Sequence, residues 1–300
     1  MKRASERPVE ESGEVPVAFP GTRLKLHWPL TDGSTGEFSA TISEVRKAKP
    51  RRTKQQRLPT SGFRYLLRWE DGTPPLWSRL RHLTYSLDPQ DAKTKRTWSH
   101  DCQDADHAET PLVAYQHIAV LLERVAWSIG KRPSRLRIYD PYYCAASVSR
   151  HLATLGFYNV HNQPADFYAA IAEGTLPDFD VLVTNPPYSG DHVDRLLHFV
   201  RGIAQPSFLL IPNYFLETAA FRTLQRAIGA SGRCVCTAAG GEAHGFFVGP
   251  RKRYSYRSPK ELRPAVRNKA RKCAAYHCAA RVLHAVFHSC ICYQPVAFCL

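Results

Sequence analysis

The stretch Asp180–Gly190, "DVLVTNPPYSG", decides the fold. Its first half reads as a buried strand of apolar and β-branched residues. Then come Asn185, Pro186, Pro187 and Tyr188. Neither proline can donate a backbone hydrogen bond, so the sheet must stop there. The Asn185 side chain and the Pro186 carbonyl are thereby placed just past a strand end, where open α/β sheets bind ligands.

The flanking sequence supplies the rest of such a sheet. Upstream, "LRIYDPYYC" reads as a strand and turn, "AASVSRHLATLG" as a helix closed by Gly156, "YNVHN" as a strand and "DFYAAIAEG" as a short helix. Downstream, "DHVDRLLHFVRGI" and "TAAFRTLQRAIG" read as helices around the strand "SFLLIPNYF", with "RCVCTAA" and "GFFVGPRKRYSY" as final strands. Strands alternating with helices of about ten residues predict an α/β fold, a mostly parallel sheet with helices on both faces. Thr110–Pro133 precedes it. There Leu112, Tyr115, Ile118, Ala119, Leu122, Val125 and Ala126 form one helical stripe, with Thr110 as N-cap and Pro111 as first helical residue.

The N-terminal third has another rhythm. "TRLKLHW", "GEFSATISEV", "FRYLLRWEDG" and "PLWSRLRHL" are short strand-like segments split by Gly, Pro and Asp turns. They predict a small antiparallel β-barrel over residues 19–87, expected to fold by itself. Residues 1–18 read as a disordered polar arm and 88–108 as a linker. The sheet domain then spans 109–256, ahead of a basic, Cys/His-rich tail over 257–300.

The chain carries 41 Lys and Arg against 26 Asp and Glu, a net charge of +15. Such an excess favours polyanionic partners, nucleic acid above all. Arg46–Arg57 and Arg251–Lys272 together hold 17 basic residues and one acid, Glu261. "KAKPRRTK" doubles as a candidate nuclear import signal. No apolar run reaches the ~18 residues of a membrane span, and the first residues lack a secretory apolar region. Nine cysteines in that setting point to reduced thiols and a nuclear or cytoplasmic location. Cys273, Cys278, Cys290 and Cys292, with His277, His284 and His288, are spaced poorly for a zinc finger, and a loosely ordered tail is the competing reading. No metal is expected at the main site.

Asn185-Pro186-Pro187-Tyr188 resembles the motif of class I S-adenosylmethionine-dependent methyltransferases that modify planar nitrogens: adenine N6, cytosine N4 or the glutamine amide. The physical reason is separable from the family. A conjugated amine is a poor nucleophile because its lone pair is delocalised. Two acceptors aimed at its hydrogens, the Asn185 oxygen and the Pro186 carbonyl, favour a localised lone pair and stabilise developing charge. Tyr188 offers a face for stacking.

The resemblance covers roughly residues 109–256 and implies a Rossmann-like sheet with a cofactor segment at Asp140, Pro141, Tyr142, Tyr143 and Cys144. Asp140 would meet the methionine amino group. Relatives usually carry a glycine there; this chain has Ala145 and Ala146. Asp166 resembles the acid that accepts from the cofactor adenine, with Phe167 beside the ring, though a helix N-cap is the equally ready role. An acid for the ribose is missing after the second strand, where His161 and Asn162 stand. Thr110 and Pro111 resemble the segment that closes over the methionine end.

The N-terminal segment, with Trp28, Phe38, Tyr65, Trp69 and Trp77, resembles Tudor or chromo-type SH3-like barrels at the level of pattern. That resemblance implies a protein or chromatin partner, and an aromatic cage for a methylated cation competes with ordinary core packing. The leading expectation is methylation of a base amine, most readily adenine N6, in RNA or DNA. The runner-up is a protein glutamine or other side-chain methyltransferase. A third reading, from another class, is a Tudor-like reader joined to a degenerate methyltransferase domain.

Overall fold

The computed structural model describes residues 16–29, 34–48, 62–80, 84–87, 108–212, 215, 217–230, 246–248, 254, 256 and 282–286. The polar arm up to residue 15, most of the basic loop, the linker at 88–107 and the tail's zinc candidates other than His284 lie outside them. So do the expected strand "RCVCTAA" and the basic segment from Arg251, Tyr254 and Tyr256 excepted.

Two sheets make up the described chain. The first is antiparallel and has five strands in the order β4-β3-β2-β1-β5. These are β1 (Arg23–Pro29), β2 (Thr35–Lys47), β3 (Phe63–Trp69), β4 (Leu76–Ser78) and β5 (Thr84–Leu87). The fifth strand was not read from sequence. β4 and β5 form opposite edges, so the hydrogen bonding describes an open sheet among the described residues. A register shift between Ile42 and Glu44 bends β2.

The second sheet follows helix α1 (Leu112–Ser128). It is built from β6 (Arg137–Tyr139), α2 (Ser147–Thr154), β7 (Asn159–His161), α3 (Phe167–Glu173), β8 (Val181–Thr184), α4 (His192–Gly202), β9 (Ser207–Ile211) and α5 (Ala219–Ala230). Strands β10 (Phe246–Val248) and β11 (Val282–Val286) complete the order β10-β11-β9-β8-β6-β7. Strands β9, β8, β6 and β7 pair in parallel, and β11 runs antiparallel beside β9. The sheet therefore does not end near residue 256: five tail residues lie inside it, between β9 and β10.

Alternation along the strands sends side chains to both faces. Ile138, Val181, Val183, Phe208 and Leu210 pack with α1 and α2. Tyr139, Leu182, Leu209 and Ile211 pack with α3, α4 and α5. Asp180 anchors the lower edge, gripped by Lys131 Nζ at 2.7 Å and Arg137 Nη2 at 2.9 Å. No described helix is long and apolar enough to cross a membrane.

The two sheets share a core. Leu24, Leu26, Ile42, Val45 and Phe63 of the first cluster with Ala153 on α2 and Tyr158 just ahead of β7. The Val45 N–H donates to Asn159 Oδ1 at 2.8 Å, and Asn159 Nδ2 donates to the Ser134 carbonyl at 2.8 Å. Gly21 sits at φ +89°, and a Cβ there would lie 2.8 Å from His161 Cε1. The N-terminal sheet is thus packed against the α/β part of the chain.

Candidate functional site

Order matters more than composition in the parallel sheet. From β6 the chain crosses to β7 on one side, then returns to β8 on the other. Adjacent β6 and β8 therefore flank a topological switch point, where crossovers diverge and leave a crevice at the strand ends. Asp140 is the first residue after β6, and Asn185 the first after β8.

Asp140 is only 6% exposed. Its Oδ1 accepts from Thr184 Oγ1 at 2.6 Å and from the Tyr142 N–H at 3.2 Å. Its N–H donates to the His161 carbonyl at 3.0 Å, and its own carbonyl accepts from Asn162 Nδ2 at 3.1 Å. Burial pushes its carboxyl up to about 7, against the opposing effect of the Thr184 and Tyr142 hydrogen bonds. A neighbouring cation would favour the ionised form.

A cleft of about 480 Å³, including open solvent at its mouth, lies against this carboxylate. Among the expected residues Thr110, Asp140, Tyr142, Tyr143, Cys144, Asn185 and Pro187 line it. Pro141, Pro111, Pro186 and Tyr188 adjoin lining residues without being among them. Asp166 and Phe167 stand apart from the cleft lining. Asp166 caps α3, accepting from the Tyr168 and Ala169 N–H groups at 2.9 and 3.1 Å. Phe167 is core, edge-on to Tyr142 and Phe199.

Pro111, with an extended backbone, is the N-cap of α1, one residue later than its sequence suggests. Thr110 and the buried Tyr115 both line the cleft. Burial, then the nearby Asp140, drives the Tyr115 phenol well up, so it stays a neutral donor.

Asn185 is oriented by two contacts. Nδ2 makes a long 3.5 Å bond to the Ala108 carbonyl, and Oδ1 accepts from the Tyr188 hydroxyl at 2.5 Å. The same hydroxyl lies 3.0 Å from the Leu210 carbonyl. Tyr188 is partly buried against the α4–α5 core. Its hydroxyl thus occupies one of the two lone pairs of the Asn185 oxygen.

Ala146 has φ +58°, the one left-handed non-glycine among the described residues. It occupies the place where a glycine is the unstrained choice, immediately before α2. The alanine's methyl group is accommodated at the cost of backbone strain. Glu109 and Tyr115 also line the cleft without being singled out for it from sequence, and Asn162, which stands where an acid for the ribose would, lines it too. Their only signal was proximity to Thr110 and to the second strand's end.

The five barrel aromatics do not form one cage. Trp28 and Trp69 meet edge-on at 5.5 Å with Phe38 beside Trp69 at 6.1 Å. Tyr65 is buried and accepts from the Val17 N–H, and Trp77 lies under the Arg46 guanidinium at 4.1 Å. Among the described residues no three His, Cys, Asp or Glu side chains gather as a metal site.

In comparisons with protein-family models, curated proteins and solved structures, nothing matches this chain.

Proposed function

We propose that the protein is an S-adenosylmethionine-dependent N-methyltransferase with a Rossmann-like catalytic domain, acting on a planar amino nitrogen, most readily adenine N6 or another base amine in RNA or DNA. The observation that carries this reading is the convergence of Asp140 and Asn185 on one cleft at the switch point of the sheet. Two residues 45 apart in sequence meet where ligands bind in such folds.

The residues fit the cofactor's amino-acid end. Buried acceptors and the uncapped start of α2 line the same cleft. When bound, the cofactor supplies a methyl group on a sulfonium, which leaves as a neutral thioether and requires no metal. Asp140 binds the ammonium, and Thr184 and Tyr142 hold its carboxylate in place. Asn185 and the Pro186 carbonyl accept from the two hydrogens of the target amine. Tyr188 holds the Asn185 amide through one lone pair of its oxygen and leaves the other for the target amine, a preorganisation that lowers the cost of localising the lone pair. Basic segments on both sides of the domain favour a phosphate-bearing substrate.

The test is incubation of the full chain with methyl-labelled cofactor and RNA, DNA or protein, followed by mass spectrometry of nucleosides and peptides. Label in a base amine is expected. With nucleic acid, the logarithm of affinity should fall linearly with the logarithm of salt. Label on glutamine with a flat salt response would replace the base by a protein substrate. No label anywhere would favour a reader with an inactive domain.

A further inference from the structure

We infer that Glu109 joins Asp140 and Asn162 in a three-acceptor cradle for the ammonium of an α-amino-acid ligand, an assignment that rests on the cofactor reading above. Two buried oxygens in the cleft make the case. Glu109 Oε1 and Asn162 Oδ1 are both shielded from solvent with no hydrogen-bond partner among the described residues. Both residues line the same cleft as Asp140. A buried acceptor without a donor is costly, so a site with several of them is completed by a ligand that brings donors.

The Asn162 amide has its orientation set by the fold. Its Nδ2 donates to the Asp140 carbonyl, which can only accept, so Oδ1 is the end left for a ligand. The residue is 3% exposed and cannot turn this oxygen to bulk water. A carboxylate has about four lone-pair sites, and Thr184 and Tyr142 use one oxygen of Asp140. An ammonium has three N–H donors, one for each residue.

The same cleft also offers donors. α2 begins after Ala146 with no side chain capping it, and Ala145, Ala146 and Ser147 line the cleft. Its first N–H groups suit a carboxylate. Acceptors and donors lining one cleft match a zwitterion, and two acids there match a ligand that also carries a sulfonium.

Calorimetry on the full chain separates the possibilities. S-adenosylhomocysteine carries the amino-acid end, and 5′-methylthioadenosine lacks it. Glu109→Gln should weaken the first about tenfold and leave the second unchanged. Unchanged affinity for S-adenosylhomocysteine in Glu109→Gln overturns the cradle while leaving the cofactor reading intact. An equal loss for both ligands also overturns it, since Glu109 would then be shaping the cleft. Failure of the wild type to bind S-adenosylhomocysteine overturns both. The wild type provides a check without any variant: a deaminated S-adenosylhomocysteine must bind at least about tenfold more weakly. Equal affinity for it removes the assignment.

Discussion

The Thr184 hydroxyl donates to the Asp140 carboxylate at 2.6 Å, joining the last residue of β8 to the first residue beyond β6. This bond spans the switch point of the sheet. It ties the strand that carries the candidate cofactor acid to the strand that carries Asn185. On the proposed reading, ligand binding on one side and amine chemistry on the other would rest on one pair of hydrogen-bonded strands.

Asn185→Ala should leave affinity for S-adenosylhomocysteine within about twofold and cut turnover by ~10²-fold, the scale for losing one preorganised polar group. Tyr188→Phe keeps the ring and loses the bond that orients Asn185, so a smaller loss on the order of tenfold is expected. Single-turnover methylation with matched binding titrations checks both. Collapse of cofactor binding in a folded Asn185→Ala protein would falsify the placement of Asn185 on the target amine.

Stability should be nearly level in pH where Asp140 and His161 titrate together. Asp140 rises from 3.8 in the unfolded chain to about 7, so its stabilising contribution is full below pH 3.8 and lost as pH climbs through 7. Burial lowers His161 from 6.5 to about 4, so its contribution is present above pH 6.5 and lost as pH falls through 4. Between pH 4 and 6.5 the two slopes oppose each other. Asp140→Asn leaves the His161 slope alone, and urea midpoints should then drop more steeply on acidification than in the wild type. Identical slopes in the two proteins would mean that Asp140 does not change its protonation there.

Ala146→Gly removes left-handed strain of about 1–2 kcal/mol and adds about 0.5–1 kcal/mol of chain entropy cost. The expected net gain is roughly 0.5–1 kcal/mol in urea unfolding. Ala146→Val should destabilise, because a β-branched residue tolerates positive φ poorly. A loss of stability in the glycine variant contradicts the strained conformation.

Asn159→Leu leaves the Val45 N–H and the Ser134 carbonyl without their partner inside the joint between the sheets. About 1–3 kcal/mol of stability should be lost. Because the sheets share a core, unfolding followed by tryptophan fluorescence and by far-ultraviolet circular dichroism should remain one coincident transition. Two separated transitions in the wild type would show that the N-terminal sheet stands by itself.

Local pattern in the chain determined most of the elements. The apolar run before Asn185, the 3.6-residue stripe of α1 and the turn residues between strands are short-range signals, and the structure has elements at those places. The prolines at 186 and 187 end β8 for a reason visible in the residues themselves. Pairing across long separations was not visible. Residues 282–286 enter the sheet between β9 and β10 although a Cys/His-rich tail gives no strong period-2 pattern. Asp166 reads as ligand acid or helix cap, two roles that can coexist, and the structure shows the cap. Glu109 was silent, and Asn162 was legible only by its place after the second strand, because nothing local distinguishes a buried acceptor from an exposed one. Burial is a property of what folds over a residue, and here that means the switch point of the sheet and the segment ahead of α1.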